Sequence, residues 1–187
     1  ADGIEGTGAG ESDEAWLGAP LNLDQWVTYN PHRGEKVPIR TDVRIVYDDR
    51  NIYFAFHCFD NEPDKIRTTV SRRDSVFNDD WIAVSLDSAG TGQTAYHLFV
   101  NPSGVQMDAL NTSSGERFEA DVIWDSAGTV TADGYVVELK LPLQTVRFSG
   151  GDAVRMGLVF FRRVSRTGIS ASWPEMAPGQ WVFDRPA

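Results

Sequence analysis

Two tryptophans are the residues of this sequence whose chemistry points most directly to a ligand. Trp81 opens an alternating stretch in which Ile82 and Val84 belong to the apolar set, so its ring is predicted to point away from the main core. Trp173 lies in the run 170–174, which we interpret as a loop after the last long strand. An indole face can stack on the C–H groups of a sugar ring, a contact worth about 1 kcal/mol beyond the buried area. The two rings are candidate walls of a clamp; the alternative for each is packing under a loop or over one end of the fold.

Charged residues just before Trp81 can supply the polar part of such a site. Arg72 and Arg73 can donate paired hydrogen bonds to sugar hydroxyls, and Asp80 can accept hydrogen bonds from them. The same arginines can instead form a salt-bridged loop that orders Asp79 or Asp80. The candidate carbohydrate-binding residues are therefore Trp81, Trp173, Arg72, Arg73 and Asp80.

Oxygen-bearing side chains also cluster on one short loop. Asp60, Asn61 and Glu62 follow each other directly. Calcium takes six to eight oxygen ligands, so this loop is a weak candidate calcium site, although the spacing of an EF-hand is absent. A solvated acidic turn is the alternative.

Signatures of catalysis are not visible in the sequence. The three histidines are scattered without His-Glu-x-x-His spacing, no Gly-x-Ser-x-Gly elbow is present, and no pair of carboxylates is singled out. The sequence therefore predicts a non-catalytic binding domain.

The charge and composition of the chain exclude some classes of partner. Its 187 residues carry a formal net charge of -10, whereas nucleic-acid binding needs a basic surface. No stretch approaches the roughly 20 apolar residues of a membrane helix, so direct membrane insertion is not expected. The single cysteine, Cys58, excludes an internal disulfide.

Strand patterns separated by turn residues dominate the chain. The pattern predicts an all-β fold, an antiparallel β-sandwich of the jelly-roll or DOMON-like kind with few short helical turns. Residues 1–10 are glycine-rich and predict a flexible lead-in, and 11–187 predict a single domain. A hairpin is expected at Asp133-Gly134. The predicted strands are 43–48, 52–59, 81–87, 96–101, 105–110, 129–132, 135–141 and 154–164.

An ordered set of segments carries a resemblance to a known family. The set comprises 13–16 (DEAW), 41–49 with 52–56, 60–63 (DNEP), 79–87 (DDWIAVSLD), 99–106 (FVNPSGVQ) and 134–142 (GYVVELKLP). Over residues 11–165 it resembles the family 9 carbohydrate-binding modules, in the version found at the N-terminus of large bacterial outer-membrane-associated proteins.

The resemblance implies a function and a setting for the chain. Two antiparallel sheets, a periplasmic, cell-surface or secreted location, and a possible C-terminal domain of the same parent chain are its structural implications. It implies a site in which two tryptophans clamp a glucose or xylose unit, often with structural calcium nearby. The expected function is recognition of a sugar or a polysaccharide end by aromatic stacking.

One departure from the family pattern keeps other functions open. Sugar-binding members carry a carboxylate in the strand that begins here at Trp81, and the stretch Trp81–Val84 has none. The alternative is an interaction or structural domain of an envelope protein that has lost sugar binding. A haem-binding sandwich is a third possibility; its candidate axial ligands are Met107, Met156, Met176 and His97.

Overall fold

The computed structural model describes residues 20–21, 23, 25–38, 40–112, 114–118, 121–148, 150–151 and 153–176. Eleven strands lie within these ranges: β1 (Val27–Asn30), β2 (Thr41–Tyr47), β3 (Asn51–Phe59), β4 (Trp81–Asp87), β5 (Thr94–Val100), β6 (Gln106–Thr112), β7 (Gly115–Arg117), β8 (Asp125–Thr131), β9 (Gly134–Pro142), β10 (Gly157–Val164) and β11 (Ile169–Trp173). Single 3-10 turns occupy Pro63–Lys65 and Leu143–Thr145. No helix of the described ranges is long and apolar enough to span a membrane.

The strands form two antiparallel sheets packed face to face. The larger sheet has the order β1-β11-β10-β4-β5-β6-β7, and the smaller sheet has the order β2-β3-β9-β8. This arrangement confirms the predicted all-β antiparallel sandwich. The expected lead-in at 1–10 lies outside the described residues.

The apolar core lies between the two sheets. Phe54 and Phe56 on β3 meet Phe160 on β10 edge to face, with ring centroids 6.3 and 5.5 Å away from that of Phe160. Fully burying a side chain of this size contributes roughly 1.5–3 kcal/mol. Trp26 and Trp124 are buried in the same cluster.

One end of this core is polar and joins the two sheets. Arg162 of β10 donates hydrogen bonds to Thr41 Oγ1 at 2.7 Å, to the Arg40 carbonyl at 3.0 Å and to the Phe59 carbonyl at 2.7 Å. Beside it, Arg166 holds the buried carboxylate of Asp60 with two hydrogen bonds of 2.7 Å. These residues are named the inner network below.

The strand predictions hold where apolar alternation is clear and fail where it is weak. The predicted strand 81–87 matches β4, and the Asp133-Gly134 turn connects β8 to β9 as expected. Gly134 has φ 153°, and a Cβ there would collide with the Cys58 carbonyl, so glycine is required. The loop predicted at 170–174 is wrong, because β11 occupies most of it and pairs with both β10 and β1.

Candidate functional site

The side of the larger sheet that faces away from the core carries an unusual concentration of aromatic and polar side chains. Its β4 positions are Trp81, Ala83 and Ser85, and register pairs Ala83 with both Phe161 of β10 and Phe99 of β5. This side is named the outer face below. Because the partners of a strand position lie on the same side of a sheet, His97, Asn111, Glu116 and Arg163 also belong to it.

The outer face is concave. His97 of β5 and Phe161 of β10 lie on either side of β4, and a flat sheet would place their strands about 9.6 Å apart, which is two spacings of about 4.8 Å. Their ring centroids are only 6.2 Å apart. The side chains of this face therefore converge above β4.

Small residues on β4 allow the side chains of its two neighbouring strands to approach each other above it. Tyr29 meets Phe161 with ring centroids 5.6 Å apart, and Phe161 meets His97 at 6.2 Å. Phe161 and His97 come from strands on either side of β4. Ala83 and Ser85 between them have short side chains, which leave room for the two flanking rings to approach.

A polar cluster lies on the β5-β6-β7 part of this face. His97 Nδ1 lies 3.1 Å from a carboxylate oxygen of Glu116, and His97 Nε2 lies 3.4 Å from the amide nitrogen of Asn111. The hydrogen bond with His97 lowers the pKa of Glu116, and partial burial opposes that shift. His97 and Asn111 are buried, whereas the Glu116 side chain is 40% exposed.

Among the residues that the structure describes, two polar atoms on the outer face have no hydrogen-bond partner. They are Trp81 Nε1 and Ser85 Oγ, both buried. An unpaired buried polar group costs about 1–3 kcal/mol, so each is an exception that needs a reason. A site that gains hydrogen bonds when a ligand or water binds is one such reason.

Exposed aromatic rings lie beside this polar cluster. Phe77 is 49% exposed and Phe118 is 42% exposed, and their ring centroids are 5.8 Å apart at an interplanar angle of 87°. Phe77 also contacts Trp81 at 6.4 Å and Phe99 at 5.7 Å. The pair Phe77 and Phe118, named the aromatic rim below, therefore offers accessible ring surface directly above the buried aromatics.

Arg163 adds a cationic donor to the same face. Its guanidinium donates to Ser170 Oγ at 2.9 Å and lies 3.4 Å from the Gly168 carbonyl. It is half-buried and lowers the pKa of Tyr29, against the larger effect of burial. A guanidinium with neutral partners keeps donor capacity for the hydroxyl groups of a ligand.

The structure corrects the predicted tryptophan clamp. Trp81 does point away from the main core, as predicted, but it is only 6% exposed beneath Phe77 and Phe99. Trp173 lies on the opposite side of the sheet, where it stacks on Phe160 with centroids 6.0 Å apart. Because the sheet separates the two indoles, they cannot hold one sugar ring between them.

The predicted polar partners are dispersed as well. Arg73 forms a salt bridge with Asp108 and donates to the Val122 carbonyl at 2.7 Å, so the salt-bridged alternative applies, with Asp108 in place of Asp79 or Asp80. Arg72 is exposed. Asp80 is fully buried at the end of the inner network, where burial raises its pKa and Oδ1 accepts from the Ser165 amide at 2.8 Å.

The loop of Asp60, Asn61 and Glu62 does not fit a calcium site in this structure. Both carboxylate oxygens of Asp60 bind Arg166, and those of Glu62 face Lys65 and Arg166. Across the described ranges, no group of three or more His, Cys, Asp or Glu side chains is placed to hold a metal. Calcium binding by the chain stays a prediction.

The haem alternative gains no support from the geometry of its candidate ligands. Both ring nitrogens of His97 are engaged, one by Glu116 and the other by Asn111. Met107 is buried beside Trp81 and Phe99, and Met156 packs against the opposite, inner core.

Sequence reasoning missed the aromatic rim and most of the polar cluster. Phe77 and Phe118 lie outside the predicted strands, so no alternation pointed to them. The side of the sheet on which Asn111 and His97 lie could have been predicted, because the pairing of β4 with β5 and of β5 with β6 places both on the same side as Trp81. The signal was the register of three consecutive strands rather than any local motif.

Comparison with known proteins identifies the family to which this chain belongs. The model of the family described as "Carbohydrate family 9 binding domain-like" matches residues 9–169, so the chain belongs to that family. This family is one of non-catalytic carbohydrate-binding modules, in agreement with the prediction that the chain is not an enzyme. None of the curated protein sequences matches the chain significantly.

Solved structures of the same fold include complexes with sugars. A protein of Bacteroides uniformis for which carbohydrate binding has been suggested is 16% identical, with a TM-score of 0.62 over 87% of this chain and 79% of that one. A family 9 module of Caldicellulosiruptor kristjanssonii in complex with glucose is 15% identical, with a TM-score of 0.56 over 89% and 80%. A family 9 module of Caldicellulosiruptor kristjanssonii in complex with cellotriose is 16% identical, with a TM-score of 0.53 over 89% of this chain and 78% of that one.

Proposed function

We propose that the concave outer face binds a sugar or the end of a polysaccharide chain, with the aromatic rim as its stacking surface. The observation that carries the proposal is the exposure of Phe77 and Phe118 on the same face as the His97–Glu116 pair, to which Phe77 is linked through the ring of Phe99. A pyranose presents an apolar C–H face and a polar edge, and this surface offers a partner for each.

The charges of the outer face suit hydroxyl groups. The half-exposed carboxylate of Glu116 accepts hydrogen bonds, and the guanidinium of Arg163 donates them. Because Glu116 and Arg163 lie on different strands of this face, they can bind hydroxyl groups at different positions of a ligand. Affinities of such small sites fall between micromolar and millimolar, about -8 to -4 kcal/mol.

The glucose and cellotriose complexes of related modules support a glucose-containing ligand. We extend the proposal to the setting of the chain: an extracytoplasmic location, and a further domain of the same parent chain to which this module delivers its ligand. A non-catalytic module acts by holding its partner domain near a glycan, which raises the effective concentration of the glycan there.

Titration calorimetry with glucose, xylose, cellobiose, xylobiose and cellotriose tests the function. We expect saturable binding that weakens about tenfold or more in Phe77→Ala, because removal of a stacked ring forfeits about 1.4 kcal/mol. Tyr47→Ala is the matched control: Tyr47 is an aromatic 82% exposed on the smaller sheet. Its loss should leave the affinity unchanged.

Two results would overturn parts of this proposal. Equal affinity in wild type and Phe77→Ala would move the site away from the aromatic rim. Heat of dilution alone with every sugar would favour the second candidate function, an interaction domain of an envelope protein. The burial of Trp81 favours that candidate, since a domain without a sugar clamp is expected to bury this ring.

A further inference from the structure

A second opening lies at one end of the sandwich, away from the concave outer face. It is a cleft of about 690 Å³, and its apolar floor includes Tyr96, Leu110 and Val122. Tyr96 and Leu110 are paired neighbours on β5 and β6. They alternate with His97 and Asn111, so the cleft and the outer face lie on opposite sides of the same sheet.

The cleft continues toward the smaller sheet. A neighbouring opening of about 620 Å³ shares Gln144 with it and reaches Lys140 of β9 and Asn51 of β3. Together the two openings form a groove, named the end groove below, that runs from the β4–β5 turn to the β2–β3 turn. Two adjoining openings of about 690 and 620 Å³ suit an extended chain molecule.

Uncommitted polar side chains surround the aromatic floor of the end groove. Gln93 and Gln144 are exposed, Thr94 is half-buried, and their side-chain amide or hydroxyl groups make no hydrogen bond within the described ranges. Amides and hydroxyls both donate and accept, which matches the hydroxyl groups of a glycan. Tyr96 is half-buried on the floor and provides an aromatic surface between them.

The charges around the end groove balance locally, although the chain carries a net charge of -10. Asp121 opposes Arg147 in the larger opening. In the smaller opening, two carboxylates oppose two cations; these are Asp49, Asp125, Arg50 and Lys140. A groove without a net charge disfavours an ionic ligand and favours a neutral polyhydroxyl chain.

We infer that the end groove is a second carbohydrate site, which takes an internal segment of an uncharged oligosaccharide. It does not depend on binding at the outer face. A module with both sites can hold two glycan chains, or two parts of one chain, and gain avidity from their combination.

Two-dimensional NMR with cellohexaose and xylohexaose tests this site. The side-chain amide signals of Gln93 and Gln144 report on the end groove, and that of Asn111 reports on the outer face. We expect both groups of signals to shift with separate saturation curves. The double variant Gln93→Ala/Gln144→Ala should weaken binding at the groove about tenfold, followed through the backbone amide of Tyr96, while the Asn111 signal titrates as in wild type.

Control variants separate this proposal from the proposed function. Asn61→Ala removes an exposed amide on a distant loop, and Phe77→Ala alters the aromatic rim; neither should change the titration of the groove. Shifts at Asn111 alone, with silent groove signals at millimolar hexaose, would overturn the second site and keep the first. Shifts of the groove signals alone would keep the end groove as a site and overturn the proposed site on the outer face. Silence at both would count against both sites for these glycans.

Discussion

Polar groups are buried on both sides of the larger sheet, but they are paired to different degrees. On the inner side, Arg162 donates three hydrogen bonds to groups of the smaller sheet and its edges, and Arg166 binds both oxygens of Asp60. On the outer side, the buried Trp81 Nε1 and Ser85 Oγ have no partner among the described residues. Trp26 Nε1 and Trp124 Nε1 of the inner core have none there either. The difference therefore lies in the charged groups, since those of the inner side hold the two layers together.

The difference follows from what each side faces. A group between two sheets cannot reach water, so an unmade hydrogen bond there is a permanent loss of stability. A group on a concave surface can be satisfied when a ligand arrives. Two atoms of the inner network are exceptions. Asp80 Oδ2 and Arg162 Nε are buried without a hydrogen-bond partner among the described residues, and burial raises the pKa of Asp80.

The largest effect should come from breaking the inner network. Arg162→Met keeps the length of the side chain but removes all three hydrogen bonds. The Arg40 carbonyl keeps only the Phe59 amide as a donor, and Asp80 loses one of its two neighbouring cations, Arg162 and Arg166. We expect a loss of about 3–5 kcal/mol in the free energy of unfolding, measured with urea.

A matched arginine shows whether the inner network carries that effect. Arg72→Met changes an exposed arginine, and a shift of at most about 0.5 kcal/mol is expected. If Arg162→Met also cost less than about 1 kcal/mol, the two sheets would be joined by apolar packing alone, and the contrast between the two sides would lose its energetic basis.

A smaller effect should distinguish a paired hydroxyl from an unpaired one. Thr41→Val removes the oxygen that accepts from Arg162 at 2.7 Å and should cost about 1–3 kcal/mol. Ser85→Ala removes a buried hydroxyl with no partner and should leave the free energy of unfolding within about 0.5 kcal/mol of wild type, or raise it. Urea unfolding of both variants measures the difference. A costly Ser85→Ala would show that this hydroxyl is already satisfied in the unliganded protein, by water.

The fold could be predicted from the sequence because its central strands carry clear alternation. β4 was predicted with its observed bounds, whereas β11 was taken for a loop. Its run 169–173 alternates serine with apolar residues, and Ser170 and Ser172 lie on the outer face, where the cues for a buried strand are weak. β1 and β7 are short edge strands. The partner of β1 is β11, which is distant in sequence, and β7 has three residues that are all exposed, so local patterns do not reveal them.

The site could be predicted only in part, because exposure depends on contacts between distant segments. Alternation placed Trp81 on the correct side of β4, but its burial results from the loop that carries Phe77. Trp173 was expected in a loop because β11 was not recognised. Within β11, the pairing of Trp173 with Phe160 directs its ring toward the inner side of the sheet. Residue type suggested the chemistry of the site, and strand register decided which residues share it.

The smallest expected effect concerns the charge of the outer cluster. The hydrogen bond with His97 lowers the pKa of Glu116 below its ordinary value of 4.5. A carboxylate with a lowered folded-state pKa adds stability that is present above its unfolded pKa and disappears as the pH falls through the folded value. Glu116→Gln should therefore flatten the free energy of unfolding between about pH 5 and pH 3, by less than about 1 kcal/mol because the group is half-exposed.

The pH dependence of the free energy of unfolding must be compared between variants, because other carboxylates titrate in the same pH range. Burial alone would raise the pKa of Asp60, but the hydrogen bonds from Arg166 and the Glu62 amide lower it. The inner network therefore also loses stability as the pH falls. Glu35→Gln, at an exposed glutamate, is the control and should parallel wild type. If Glu116→Gln also paralleled wild type, the contact with His97 would contribute no charge-dependent stability. The outer face would then differ from the inner network in its charges, because only the inner ion pairs would stabilise the fold.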